Sequence, residues 1–113
     1  MYAQKHRLRL RKDFEHLFAQ GKTVHSSTFS LKFINNSSTE NRFAVVVSTK
    51  VSKKATVRNL IKRRLREIIR RDLLPVIHGH YDIAFLTRSG IEKLSYNELR
   101  TFVSELCQKA RLS

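Results

Sequence analysis

Cysteine occurs once in this chain, at Cys107, so no disulfide inside the chain can staple the fold. That usage fits a reducing compartment, and the expected location is the cytoplasm. Without a Cys-x-x-Cys pair, Cys107 offers no thiolate zinc site, and it reads as a small apolar filler. Tryptophan is absent, proline occurs only at Pro75, and glycine only at Gly21, Gly79 and Gly90. So few glycines leave no P-loop and no dinucleotide fingerprint. There is no apolar run of 18 residues, no lipidation motif and no signal-peptide core at the start, so no membrane role is expected. No repeat, linker or low-complexity segment divides the 113 residues, which read as one domain, 1–113, with residues 1–11 a basic arm.

Acids are the scarcest class for a chain this charged. Nine Asp and Glu stand against 23 Lys and Arg, a net charge of +14. With 41% hydrophobic residues the chain is globular and not a disordered basic tail. Arginine outnumbers lysine, which favours planar, two-pronged phosphate contacts.

The excess is concentrated in 50–71. Val57, Leu60, Ile61, Leu65 and Ile68 recur at helical steps. At about 100° per residue, Val57, Ile61, Leu65 and Ile68 share one arc. Arg58, Asn59, Lys62, Arg63, Arg66 and Arg70 share the opposite one, with Arg64 and Arg71 at the flank. A charged helix face is ordinarily a solvated one, but then signs alternate at i,i+4. Here Glu67 is the single acid among the basic residues. Repulsion of that density asks for a polyanion, and nucleic-acid phosphate is the obvious one. Thr56 is the expected N-cap, and Pro75 and Gly79 close the segment.

Around this helix the remaining elements follow in order. Residues 12–20 predict a helix with Phe14, Leu17 and Phe18 on one face and Gly21 as its stop. Residues 28–34 alternate as a strand, with Phe29, Leu31 and Phe33 opposite Thr28, Ser30 and Lys32. Residues 42–49 form a second strand whose Ala44, Val46 and Ser48 face is small enough to be an open floor. The turn at Asn35-Asn36-Ser37-Ser38 predicts that these two strands pair as an antiparallel hairpin. Residues 81–87 form a third strand with Ile83 and Phe85 inward. Ser95 and Glu98 match a capping box, opening a helix that carries Leu99, Phe102, Val103, Leu106 and Ala110 on one face. The arm, with Leu8 and Leu10 between arginines, is either docked or mobile. The sum is a small α+β sandwich.

A catalytic constellation is missing. Asp13, Glu15, Glu40, Glu67, Asp72, Asp82, Glu92, Glu98 and Glu105 form no recognisable two-metal cluster in sequence. His78-Gly79-His80 is taken as incidental, and His6, His16 and His25 lie in basic or polar segments where they can touch phosphate. The residues therefore predict a binding protein, with no catalytic residue and no metal ligand of its own.

The run Ser48-Thr49-Lys50-Val51-Ser52-Lys53-Lys54-Ala55-Thr56-Val57-Arg58-Asn59-Leu60-Ile61-Lys62-Arg63-Arg64-Leu65-Arg66-Glu67 resembles the signature of the protein subunit of bacterial ribonuclease P. The family's pattern is Ser-Lys-Lys, a basic loop, then Arg-Asn-Arg-x-Lys-Arg-x-x-Arg-Glu. Asp13-Phe14, Phe18 and Gly21 resemble its first helix, and the likeness extends over almost the whole chain. Leu60 stands where the pattern has its second arginine, removing one RNA contact. Thr49 replaces a lysine, Ser52 a frequent glycine, and Lys32 a residue that is aromatic in some members.

The resemblance implies a ribosomal-protein-like α-β-β-β-α-β-α order with a left-handed βαβ crossover, against the usual hand. It implies the protein component of a ribonucleoprotein endoribonuclease that removes the 5′ leader of precursor tRNA. A catalytic RNA holding Mg2+ carries the chemistry. Arg58, Asn59, Lys62, Arg63, Arg66 and Arg70 would bind that RNA. Phe14, Phe18, Ser30, Lys32, Ser48, Lys50 and Lys53 would form a cleft for the leader. On this reading Phe18 is partly exposed, whereas Phe14 and Leu17 are equally well core. The partners implied are the catalytic RNA and precursor tRNA, with no membrane and no DNA. The alternative is a ribosomal or RNA-chaperone protein without a processing role.

Overall fold

The computed structural model describes residues 4–38, 40–77 and 79–112. Residues 1–3 of the arm and His78 of the His-Gly-His run lie outside them. The elements are α1 (Arg11–Gln20), β1 (Lys22–His25), β2 (Phe29–Asn35), β3 (Arg42–Val46), α2 (Ala55–Ile68), β4 (Tyr81–Thr87) and α3 (Tyr96–Lys109). A π-helical turn, Ile69–Leu73, prolongs α2. No helix among the described residues is long and apolar enough to cross a membrane.

One four-stranded sheet has the order β1-β2-β4-β3. β1 pairs antiparallel with β2, β2 antiparallel with β4, and β3 parallel with β4. The expected hairpin of 28–34 with 42–49 is therefore wrong, because β4 is inserted between those strands. The Asn35–Ser38 turn signal is real but serves a wider connection. Asn36 donates from Nδ2 to Glu40 O at 3.2 Å and to Asp82 Oδ1 at 2.8 Å, carrying the chain across the start of β4. The hairpin that does form joins β1 to β2, and β1 is the strand the sequence hid. Its four residues are largely exposed, with only Val24 packed inward.

The two sheet faces are covered unequally. Phe29, Leu31, Phe33, Phe43, Ile83 and Phe85 point to one face, where they meet Ile61, Leu65 and Ile68 of α2 and Leu99, Val103, Leu106 and Cys107 of α3. Full burial of such side chains stabilises by roughly 2 kcal/mol each. Burial in this core pushes the Cys107 thiol up to about 12, so it stays neutral. The other face has only α1, whose Leu17 packs with Leu8, Ala44 and Ala84. The small Ala44 and Ala84 let the helix lie close.

Ser95 and Glu98 form the expected capping box, with both reciprocal bonds present. The expected Thr56 cap is not used. Lys54 is the N-cap of α2 without a side-chain bond, and Thr56 is the second residue of the helix. Ser52 Oγ instead accepts from Lys54 N at 3.2 Å, ordering the approach. Gly21 does end α1, but its φ of −71° is not left-handed. Glycine is needed there for space, since a Cβ would lie 2.4 Å from Leu17 O and 3.1 Å from Phe33 O. β3 stops at Val46, so Ser48 falls in the following loop.

Candidate RNA-binding surfaces

α2 divides as its periodicity requires. Ile61, Leu65 and Ile68 are buried, and Val57 and Leu60 half-buried. On the outer side Asn59, Arg63 and Arg70 are exposed, and Arg58, Lys62 and Arg66 half-buried. Lys62, Arg63 and Arg66 have no ion pair among the described residues. Arg58 donates to Ser52 O at 2.9 Å, which fixes it against the loop before the helix. Arg70 is not free, because Glu67 holds it in a two-pronged pair. The arginine keeps the Glu67 carboxyl below its ordinary range.

The acids explain why the strip stays cationic. Asp82 and Asp13 are taken by Arg42, Asp72 by Arg100, Glu15 by Arg11 and Glu40 by Lys5. Glu92 accepts from Gly90 N, and Glu98 from Ser95 N. Among the described residues only Glu105 lacks a partner. Each of these pairs except Glu67–Arg70 lies off α2, so the acids neutralise charge elsewhere and leave the strip's positive charge in place.

The second surface is assembled from separate elements. Across the α1-covered face, Thr23, Lys32, Ala84 and Ala44 form one row, and His25, Ser30, Leu86 and Val46 the next. α1 lies over the end of the sheet marked by Asp82 and Arg42. There Arg42 makes bonds of 2.7 and 2.8 Å to Asp82 and 3.1 Å to Asp13 of α1. These carboxylates hold the Arg42 guanidinium above its ordinary pKa, with the Asp82 hydrogen bond the largest cause. The row His25–Ser30–Leu86–Val46 lies beyond the helix and is partly open, and Val46 is 41% exposed.

Phe14 and Phe18 edge this floor. Their rings stack at 6.4 Å with 16° between planes. Phe18 is 43% exposed and Phe14 half-buried, which resolves the alternatives for both; Leu17 is core. Lys32 Nζ sits 5.4 Å from the Phe18 ring centre, a cation-π contact. Ser30 is on the expected face but is 5% exposed, and its Oγ is engaged by His25 Nδ1 at 2.9 Å and Arg88 at 3.1 Å. It therefore orients those two groups and is not itself an open donor. Ser48, Lys50 and Lys53 are exposed in the loop that leaves β3 at the open end of the floor. That loop is pinned by buried Val51 and by Ser89 Oγ donating to Lys50 O at 2.9 Å. Val46 is on the floor its alternation predicts, whereas Arg88 and Leu86 carry no such signal, because only the pairing of β2 with β4 places them beside Ser30 and Lys32.

The comparisons with known proteins agree on one family. The family model described as Ribonuclease P matches residues 2–111. The chain is 35% identical to the ribonuclease P protein component of Microcystis aeruginosa, covering 96% of this chain and 93% of that protein. It is 33% identical to that of Petrotoga mobilis, with the same coverage. Its fold superposes on the RNase P protein from Thermotoga maritima with a TM-score of 0.81 at 34% identity, covering 91% of this chain and 96% of the other. A mutant RNase P protein of Staphylococcus aureus superposes at 0.89 over 97% and 92%, and at 22% identity that likeness concerns the fold. The chain thus belongs to the ribonuclease P protein family, as the protein part of an endoribonuclease complex whose partner is the ribonuclease P RNA.

Proposed function

We propose that the two surfaces divide the work of precursor-tRNA processing. The strip of Arg58, Asn59, Lys62, Arg63 and Arg66, with Arg70 at its end, binds the folded catalytic RNA. Guanidinium forks match phosphate pairs, and folded RNA is read chiefly through shape and backbone. The cleft of Phe14, Phe18, Lys32, Lys50 and Lys53 holds the single-stranded 5′ leader, with Ser30 and Ser48 in supporting positions. Cations track its backbone and the exposed aromatic stacks a base without regard to sequence. Leaders differ in sequence, so that tolerance is required.

The observation that carries this reading is the partition of charge, with every acid except Glu67 and Glu105 engaged away from the strip while Lys62, Arg63 and Arg66 have no ion pair among the described residues. Magnesium belongs, in this reading, to the RNA. Asp13, Glu15, Glu67, Asp72 and Asp82 are held by arginines and Glu40 by Lys5, and no group of three ligating side chains gathers among the described residues. The protein then works in the cytoplasm with the RNA supplying the hydrolysis.

Mature tRNA lacks the leader and forfeits the cleft, so the protein favours precursor over product. The test is binding of precursor and mature tRNA to the reconstituted complex carrying Phe18→Ala. Weakened precursor binding with mature binding unchanged is expected; equal loss for both would remove the cleft from the reading.

A further inference from the structure

The basic arm has no role in the division above, yet it is firmly placed. His6 Nδ1 lies 2.8 Å from Asn41 O, Leu8 N donates to Phe43 O at 2.8 Å, and Arg7 forms a parallel bridge with Phe43. Leu8 is 5% exposed and packs with Leu17, Ala44 and Ala84 on the α1 side of the sheet. Side chains alternate along extended backbone. Arg7 shares the register position of Phe43, whose side chain lies on the face α2 covers, and Arg9 is exposed on the other flank of Leu8.

Both arginines are exposed, and neither has an ion pair or side-chain hydrogen bond among the described residues. Their neighbours differ, since Lys5 is paired with Glu40 and Arg11 with Glu15. β3 is the edge strand of the sheet, and α2 packs against it. The arm lies along that same edge.

We propose that Arg7 and Arg9 continue the cationic strip of α2 around the β3 edge and grip the backbone of the same folded RNA. This rests on the reading of α2 as the RNA-binding face. The leader is not the occupant. The arm has no aromatic side chain between Gln4 and Leu10 on which bases could stack, apart from His6, which is held against Asn41 and Glu40. Two pinned arginines flanking a buried leucine suit phosphates of a rigid backbone better than a flexible strand.

The experiment titrates full-length protein onto the ribonuclease P RNA over a salt series, comparing wild type with Arg7→Ala/Arg9→Ala, Arg7→Lys/Arg9→Lys and Arg63→Ala. The double alanine variant is expected to bind about tenfold more weakly at fixed salt. Its plot of log affinity against log salt should be shallower by about 1.5, the share of two phosphate contacts. The double lysine variant should keep most of that slope, and thermal melts should be unchanged, since both side chains are exposed. Unaltered affinity and slope in the double alanine variant, with Arg63→Ala still impaired, would overturn the arm's role and leave the α2 reading standing. No loss in Arg63→Ala either would remove the α2 reading itself. A selective loss of precursor over mature tRNA in the double alanine variant would move the arm to the leader cleft and overturn the proposal as stated.

Discussion

The two faces of the sheet make opposite use of their helices. One carries α2 and α3, which seal a core of phenylalanines and branched aliphatics and present cations only on their outer sides. The other carries α1 alone, set close over Ala44 and Ala84, and part of its floor stays open. A sheet covered by two helices yields an outward convex surface suited to a structured partner. A sheet half covered by one helix yields a furrow suited to a strand. The difference arises from side-chain size and the number of helices, not from a difference in charge, since both sides carry lysine and arginine.

The largest effect should separate the faces by salt. If about six phosphates are neutralised by the α2 strip, affinity for the ribonuclease P RNA should fall roughly a thousandfold between about 50 and 200 mM salt. A flat profile measured by filter binding would break the comparison, because the strip would then not meet a polyanion.

Next comes the anchor of the half-covered face. Asp82→Ala leaves Arg42 without its buried, two-pronged partner and loosens α1. Removing one member of a buried pair costs about 3 kcal/mol or more, to be read in urea unfolding. A change within a few tenths would show that α1 is held by Leu17 and the alanines alone.

Phe18→Ala should cost about 1–3 kcal/mol of precursor binding, the range for one stacked base, and little stability, because the ring is 43% exposed. Fluorescence binding with leaders of differing sequence sharpens the result, since stacking predicts similar losses for all of them.

The smallest effect tests the sealed face. Ser95→Ala should cost about 1 kcal/mol by removing the cap of α3. The Ser95 backbone and hydroxyl hold the Glu98 carboxyl below its ordinary pKa. A depressed pKa in the folded state gives stability that is present above the unfolded value and lost as pH falls through the folded one. The gap between wild type and Glu98→Gln in acid melts should therefore narrow below about pH 4. Cys107, buried and neutral, should react with a thiol reagent only on unfolding.

Much of this was legible beforehand. α1, α2 and α3 were placed within a residue or two, because each has apolar residues at helical spacing and a recognisable boundary. Three strands were found because they alternate strongly. β1 was missed because Lys22, Thr23 and His25 are polar and exposed, leaving Val24 as its only inward signal. The hairpin was misassigned because a turn signal is local, whereas strand insertion is not. The α2 strip was readable as a set, since one helix gathers it, though the Glu67 hold on Arg70 was not. Ser30 lies on the expected face, but its burial was not readable, because His25 and Arg88 reach its hydroxyl from other strands and loops.

The sequence by itself determined which side chains each helix turns outward, because helical and extended geometry are set by neighbours a few residues away. It also determined the charge, through the scarcity of acids. Only the tertiary structure decided where those acids are spent, which strand separates β2 from β3, and that Phe18, Lys32 and Arg88 border one floor. Those outcomes depend on contacts between residues tens of positions apart, whose pairing is chosen by how well the faces pack and not by any local pattern.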